Sequence, residues 1–546
     1  MTRFDPVTLQ ILWSRLISIA DEAAAALLRT SFSTIVRESN DFACVLMDAK
    51  GASLAENSIG IPSFVGLLPR TLNHILAEIP VEDLRPGDVL ITNDPWMATG
   101  HLLDITTVSP VFHRGRLVAF AGATSHMPDI GGVLWSADCT EVHEEGLRIL
   151  PTKFLVEGRE NREVARFIRG NVRVADQVMG DIYAQIAAQA VCARRLAEFL
   201  DDTGLDDLTD LSAVLQARAD AAMRKAIAAL PDGSWHHVIK ADGYEDQETT
   251  IACTVTIAGD TLSVDYTGTS PQIARGLNSV MNYTYAYSVY PLKCALDPAT
   301  PRNEGSYRAV TVTAPEGSIL NPRFPAAVNA RHLTGLFLSG AIYGCLAQVV
   351  PDKVLADSSS PSPRPVWTGR TTRGERFSQV MFGSGGMGGA LGRDGLNATA
   401  FPTNSGFGSV EAFEGSAPVV VWRKDLLADS GGPGRWRGGL GQEVEVEVTT
   451  DDPVRLALIS DRMKHPAGGL AGGRAGAPAK VALQDGTTPH PKGRTTLPPG
   501  ARLTMHYGGG GGVGDPRERD PAALRRDIEA GYVTPEGARR DYGAKD

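Results

Sequence analysis

One short stretch, "HLLDITTVSPVFHRGRLVAFAGATSH" at residues 101–126, gathers side chains capable of metal or proton chemistry. His101 and Asp104 open it and His126 closes it, in a chain that has only eleven histidines. "ITTVSPVF" and "RLVAFAGAT" read as antiparallel strands joined at "HRGR". With Arg114 and Gly115 as a two-residue loop, Asp104 faces Ser125 and Leu103 faces His126; a loop one residue longer sets Asp104 directly opposite His126. In either register the two are neighbours, since paired Cα atoms lie ~5 Å apart. Gly100 frees the preceding backbone to curl back and bring His101 to the same end. Two imidazoles and a carboxylate suit Zn²⁺, Mn²⁺ or Fe²⁺, with positions left for water. A His and an Asp at strand ends also serve as turn or capping residues, and spacing alone leaves both readings open. Pro95 in "NDPW" and Pro128 in "SHMPDIGG" flank the stretch with stiff loops.

The elements that must position these residues are legible in part. Asp5-Pro6 reads as an N-cap and first helical residue, followed by an apolar stripe through Leu9, Leu12, Leu16, Ile19 and Ala23. Two short strands flank a "DAKG" turn, a helix follows near "VGLLPRTLNHILAEI", and then comes the strand "DVLITND". Residues 162–230 carry two long helical patterns, expected to form an antiparallel pair packed on the first unit. From Trp235 the period becomes two, with a hairpin turning at "AGD". Helices recur at "SVMNYTYAYSVYPLKCAL" and "HLTGLFLSGAIYGCLAQVV", and the last third is strands and glycine loops ending in a short helix and tail. The reading is a mixed α+β, multi-domain chain: 1–160, an α+β unit with the candidate site; 161–232, helical; 233–365, α+β; 366–515, Gly-rich and mostly β; 516–546, a terminal helix and tail.

Bulk properties narrow the function. The net charge of −10 is spread along the chain with no basic stripe, so neither nucleic acid nor an anionic membrane surface is an expected partner. No apolar run approaches the ~18 residues that a membrane span needs, and "MTRFDPVTLQILW" lacks the apolar core of a signal peptide. The six cysteines are scattered without a CxxC pair, which fits a reducing cytoplasm. "GSGGMGGALG" has a GxGxxG-like spacing but no helical period after it, and no GxxxxGK[ST] occurs, so no nucleotide is assigned to this chain. That loop and "GGGGGVG" are expected to serve tight turns and close contacts.

Several long strings carry a resemblance: "RESNDFACVLMD", "GDVLITNDPWMATGHLLDITTVSPVF", "TSHMPDIGG", "EEGLRILPTKF", "NARHLTGL", "SDRMKHPAGGLAGG", "GGGGGVGDP" and "DIEAGYVTPEGARRDYG". Nearly end to end, the chain resembles the B-type subunits of the hydantoinase/oxoprolinase family. The resemblance implies a divalent metal on His101, Asp104 and His126, with Asp41 from an early strand as a further ligand in some members. It implies an A-type partner subunit that uses ATP to phosphorylate a cyclic amide, which is then hydrolysed at the metal of the B-type chain in a heteromer. Candidates for the accompanying proton transfer are Asp94, Asp129, His143 and Glu145, of which Glu145 is preferred because "EEGL" falls in a family-like string. Arg331 and His332 open a helix after a loop, either to bind an anionic group of substrate or as a solvated helix start. Asp461 and Arg462 read as an internal ion pair. An alternative with the same metal pocket is the subunit of an ATP-dependent ketone carboxylase of the acetone or acetophenone type; the absence of long extra segments favours hydrolysis.

Overall fold

The computed structural model describes residues 4–61, 64 and 66–544. Val65, in the expected early helix, and the last two residues of the expected tail lie outside them.

The architecture is mixed α+β. A seven-stranded sheet comprises β1 (Phe42–Asp48), β2 (Ser53–Glu56), β3 (Val89–Thr92), β4 (Asp104–His113), β5 (Arg116–His126), β6 (Thr152–Val156) and β7 (Arg159–Glu160). Its spatial order is β2-β1-β5-β4-β3-β6-β7, with every neighbouring pair antiparallel. Both alternating sets of β1 are apolar, which marks a sheet covered on both faces. Phe42, Cys44 and Leu46 join the core under the long helices Pro6–Thr30 and Ala175–Thr203. Ala43, Val45 and Met47 join a second core under the helix Leu67–Glu78. β5 repeats the pattern, with Ala119, Ala121 and Ala123 on the first face and Phe120 on the second. Asp5 caps the first helix, its side chain accepting from the backbone N–H groups of Val7 and Thr8.

A four-stranded sheet follows: β8 (Gly233–Tyr244), β9 (Gln247–Ala258), β10 (Thr261–Asp265) and β11 (Val310–Thr313), in the order β11-β10-β9-β8. The expected "AGD" hairpin is its β9–β10 turn, where Ala258 pairs with Thr261. The C-terminal region holds two more four-stranded sheets. One is built from β12 (Arg364–Arg370), β13 (Arg376–Val380), β16 (Val454–Ile459) and β18 (Arg494–Leu497). The other contains β14 (Val419–Leu426), β15 (Gln442–Val448), β17 (Lys480–Leu483) and β19 (Arg502–His506). The glycine segments stack backbone on backbone: Gly386 N–H donates to Gly508 O, Gly389 to Gly511, and Gly510 to Gly439.

Two expectations need correction. The region 162–203 is two helices, not one. Arg162–Asn171 ends at Val172, and Ala175–Thr203 begins after the intervening Arg173 has turned its backbone N–H and guanidinium onto Asp129. Nor is the expected antiparallel helical pair the main packing. Ala175–Thr203 lies chiefly along Pro6–Thr30 and the β4–β5 hairpin, while Thr209–Ala228 packs on residues 304–307 and Met281–Leu296. The apolar stripe of Pro6–Thr30 supplied a nearer complementary surface. No helix among the described residues is long and apolar enough to cross a membrane, and all six cysteines are unpaired.

Candidate metal centre

The β4–β5 register resolves the ambiguity of the hairpin. Arg114 and Gly115 form a two-residue turn, both with positive φ (49° and 76°), as a tight hairpin of this twist requires. His113 pairs with Arg116 and Phe112 with Leu117, but Val111 pairs with Ala119. The extra residue, Val118, is a β-bulge. It shifts the remaining ladder by one and sets Asp104 directly opposite His126. On the other side of β5, Phe42 pairs with Ser125 and His126 N–H donates to Asp41 O, so Asp41 sits beside His126 as well. Period two puts Asp41, His126 and Asp104 on the face of Ala43, Phe120 and Val108, the face covered by Leu67–Glu78.

His101 reaches the same point from the loop before β4. Donor atoms of His101, Asp104 and His126 lie within 4.8 Å of one another, and all three residues are buried. His101 Nε2 is 2.8 Å and His126 Nδ1 2.9 Å from Asp104 Oδ1. On the outer side, His101 Nδ1 is 3.0 Å from the carbonyl oxygen of Asn329. A carbonyl only accepts, so Nδ1 carries the proton and Nε2 presents a bare lone pair to the carboxylate. Burial, then the Arg331 charge, pushes the His101 imidazole down to about 4, so it is neutral at physiological pH. Burial alone would raise the Asp104 carboxyl, but the Arg331 guanidinium and the contact with His126 hold it well below the usual range. Two acceptor atoms therefore face each other at 2.8 Å, and among the described residues His101 Nε2 has no hydrogen-bond partner. A cation fits that arrangement, and a neutral imidazole with an ionised carboxylate is the donor state that metals require. Asp41 lines the same cavity; burial pushes its carboxyl up, and Asp104 adds to the shift.

Arg331 Nη2 lies 2.5 Å from Asp104 Oδ2, and its Nε donates to the carbonyl of Thr99. Its guanidinium covers the Tyr283 ring at 4.0 Å. Arg331 is thus neither solvated nor free to take an anion; it balances the carboxylate. Gly100 is what admits it. The backbone there has φ +98°, and a Cβ would meet Arg331 Cδ at 2.7 Å. His332, at the start of the short helix His332–Gly335, is 3% exposed and lines the cavity. Neither of its ring nitrogens has a partner among the described residues, and burial followed by the charge of Arg364 keeps it neutral.

Glu145 does not face the triad. Its Oε1 accepts from the backbone N–H groups of Val328 (2.5 Å) and Asn329 (2.9 Å). Asn329 O in turn accepts from Trp135 Nε1 at 2.8 Å as well as facing His101. Burial pushes the Glu145 carboxyl up to about 8, against the pull of those two N–H groups. The other proton-transfer candidates are engaged elsewhere. Asp94 binds Arg148 and caps Trp96 and Met97, Asp129 binds Arg173, and His143 is exposed on the edge of Phe324. Asp461 and Arg462 do not pair with each other: Asp461 binds Lys492 and Arg462 binds Asp357. Trp135, Tyr283, Tyr287, Arg364, Thr403 and Ser405 also line the cavity, and none stood out in the sequence.

The Hydantoinase B/oxoprolinase profile matches residues 5–516. The chain belongs to this family. The B-type chain of a candidate D-/L-hydantoinase from Pseudomonas sp. (strain NS671) is 31% identical to it, over 100% of this chain and 95% of that protein. Among solved structures of similar fold, the ATP-dependent caprolactamase of Pseudomonas jessenii superimposes with a TM-score of 0.92 at 28% identity, covering 100% of this chain and 97% of the other. A nucleotide-free acetone carboxylase superimposes with a TM-score of 0.89 over 99% of this chain and 79% of the other; at 20% identity that likeness is one of fold alone. As a hydantoinase B/oxoprolinase family member, the chain carries its buried triad at the open end of the β4–β5 hairpin, with His101 from the loop before β4.

Proposed function

We propose that this chain is the metal-bearing, B-type half of an ATP-dependent cyclic-amide hydrolase, working in the cytoplasm with an A-type partner that phosphorylates the ring amide. The carrying observation is the buried His101, Asp104 and His126 set within a chain of this family. A divalent ion there, zinc, manganese or iron, would be held by those three with Asp41 as a further ligand, and would supply Lewis acidity for hydrolysis at neutral pH.

The chain's own residues do the rest. His101 stays neutral and Asp104 stays ionised, so these donors are ready without proton loss. Arg331 balances the second oxygen of Asp104 and keeps its orientation. Glu145 acts through the 328–329 backbone, holding Asn329 O against His101 and Trp135; we assign it a positioning role. His332, neutral and unpartnered, offers an N–H and a lone pair to the reacting group. One water adds to the ring carbon, the C–N bond breaks as the nitrogen takes up a proton, and a second water hydrolyses the resulting acyl phosphate to carboxylate and inorganic phosphate. ATP is consumed at the partner.

The test is the purified complex with ATP, assayed against hydantoins and lactams and, separately, against ketones with bicarbonate. Ring opening that needs both subunits is the expected result. Ketone carboxylation without ring opening, or full ring opening by this chain alone, overturns the reading.

A further inference from the structure

The cavity that holds the triad has a second group of polar side chains, Arg364, His332, Thr403 and Ser405. Arg364 opens β12 and reaches the cavity from the C-terminal region. Its guanidinium stands 5.1 Å from the centre of the Phe382 ring, yet among the described residues it makes no hydrogen bond and no ion pair. A guanidinium taken from water is costly unless paired. Arg331, the other arginine on this cavity, is held by Asp104 and Thr99 through its Nη2 and Nε. Beside Arg364 lies His332, buried, with both nitrogens unpartnered. Thr403 and Ser405 complete the group; their hydroxyls share one hydrogen bond of 3.1 Å, which leaves one hydroxyl proton for a ligand. The acidic groups on the cavity are Asp104, already balanced by Arg331, and Asp41, beside His126, whose charge also acts on Arg364 without a hydrogen bond or ion pair among the described residues.

A fork of N–H donors, an imidazole N–H and two hydroxyls match a ligand that offers several anionic oxygens on one atom. We propose that Arg364, with His332, Thr403 and Ser405, forms a phosphoryl-binding subsite next to the metal ligands. It receives the phosphoryl group of the activated amide and holds the ring carbon at the triad. This rests on the reading that the partner phosphorylates the substrate. Two sources carry the same chemistry, the phosphorylated amide and the inorganic phosphate left after hydrolysis, and separate measurements distinguish them.

In the first, inorganic phosphate is titrated into the metal-loaded chain by calorimetry. The wild type binds it, Arg364→Gln weakens binding at least about tenfold, and Arg364→Lys recovers part of it, since charge remains and the fork does not. Metal content and thermal midpoint are measured alongside and stay at wild-type values. In the second, the complex with its partner is given ATP and cyclic amide. Arg364→Gln keeps ATP turnover but loses ring opening, so phosphorylation and hydrolysis uncouple. Loss in both measurements assigns the subsite to substrate and product alike; loss in the second alone assigns it to the phosphorylated amide. Should Arg364→Gln, folded and metal-loaded, bind phosphate and open rings like the wild type, the subsite is wrong while the hydrolase reading stands. Should Arg364-dependent phosphate binding occur in a complex that opens no cyclic amide, the hydrolase reading fails and the anion site stands.

Discussion

At the scale of single residues, the site is governed by which atom carries a proton. The carbonyl of Asn329 fixes the His101 tautomer, and that leaves Nε2 and Asp104 Oδ1 facing each other without a proton between them. Arg331 is the counterweight to Asp104. Its removal leaves a buried carboxylate with less compensation, so Arg331→Ala should destabilise the metal-free protein by about 3 kcal/mol. The loss should be smaller with metal bound, because the ion then supplies positive charge; unfolding with and without chelator measures the difference. Glu145 gives a pH signature. Its folded value, about 8, lies above its ordinary 4.5, so the folded state holds the proton more tightly. The stability it contributes is complete below about pH 4.5 and is lost as pH rises through about 8, on the order of 5 kcal/mol in all. Glu145→Gln should flatten that fall between pH 5 and 9 in chemical denaturation. An unchanged slope would show that the carboxyl ionises freely in the fold.

At the scale of elements, the centre is a product of sheet register. The bulge at Val118 reconciles a two-residue turn with an Asp104–His126 pair, and parity then sets Asp41, His126 and Asp104 on one face. The loop before β4 depends on Gly100 in the same way. Gly100→Ala combines an unfavourable φ with a clash against Arg331. It should cost about 1–3 kcal/mol and displace the arginine from Asp104, so metal affinity falls with stability; calorimetry and metal titration check both. The hairpin, the first helix and its cap were legible because turn chemistry, capping and apolar period are local signals. The exact register was not, because a bulge leaves no mark in the residue pattern. Arg331 and His332 stood out, but their roles did not: the partner of Arg331 lies 227 residues earlier. Trp135 and Arg364 gave no sequence signal, and Asn329 stood only as the first residue of "NARHLTGL" with no role of its own, for all three act only once distant strands and turns meet around one cavity. The helical pair was misread because amphipathic period states that a face is buried and does not say against what.

At the scale of the whole molecule, the first sheet supplies the triad, the turn at 328–332 orients it, and the C-terminal sheets close the cavity with Arg364, Phe382, Thr403 and Ser405. The glycine segments let these parts approach at backbone distance, as between Gly386 and Gly508. On the proposed reading the chain is a metal site that receives an activated substrate from a partner, and its chemistry turns on the cation. Elemental analysis of the purified wild type after reloading with zinc, manganese or iron should find about one bound ion per chain. His101→Ala and His126→Ala, still folded, should hold almost none, and anomalous diffraction should set the ion among His101, Asp104 and His126. A wild-type chain that stays metal-free after reloading, or folded variants that retain the ion in full, would contradict the account.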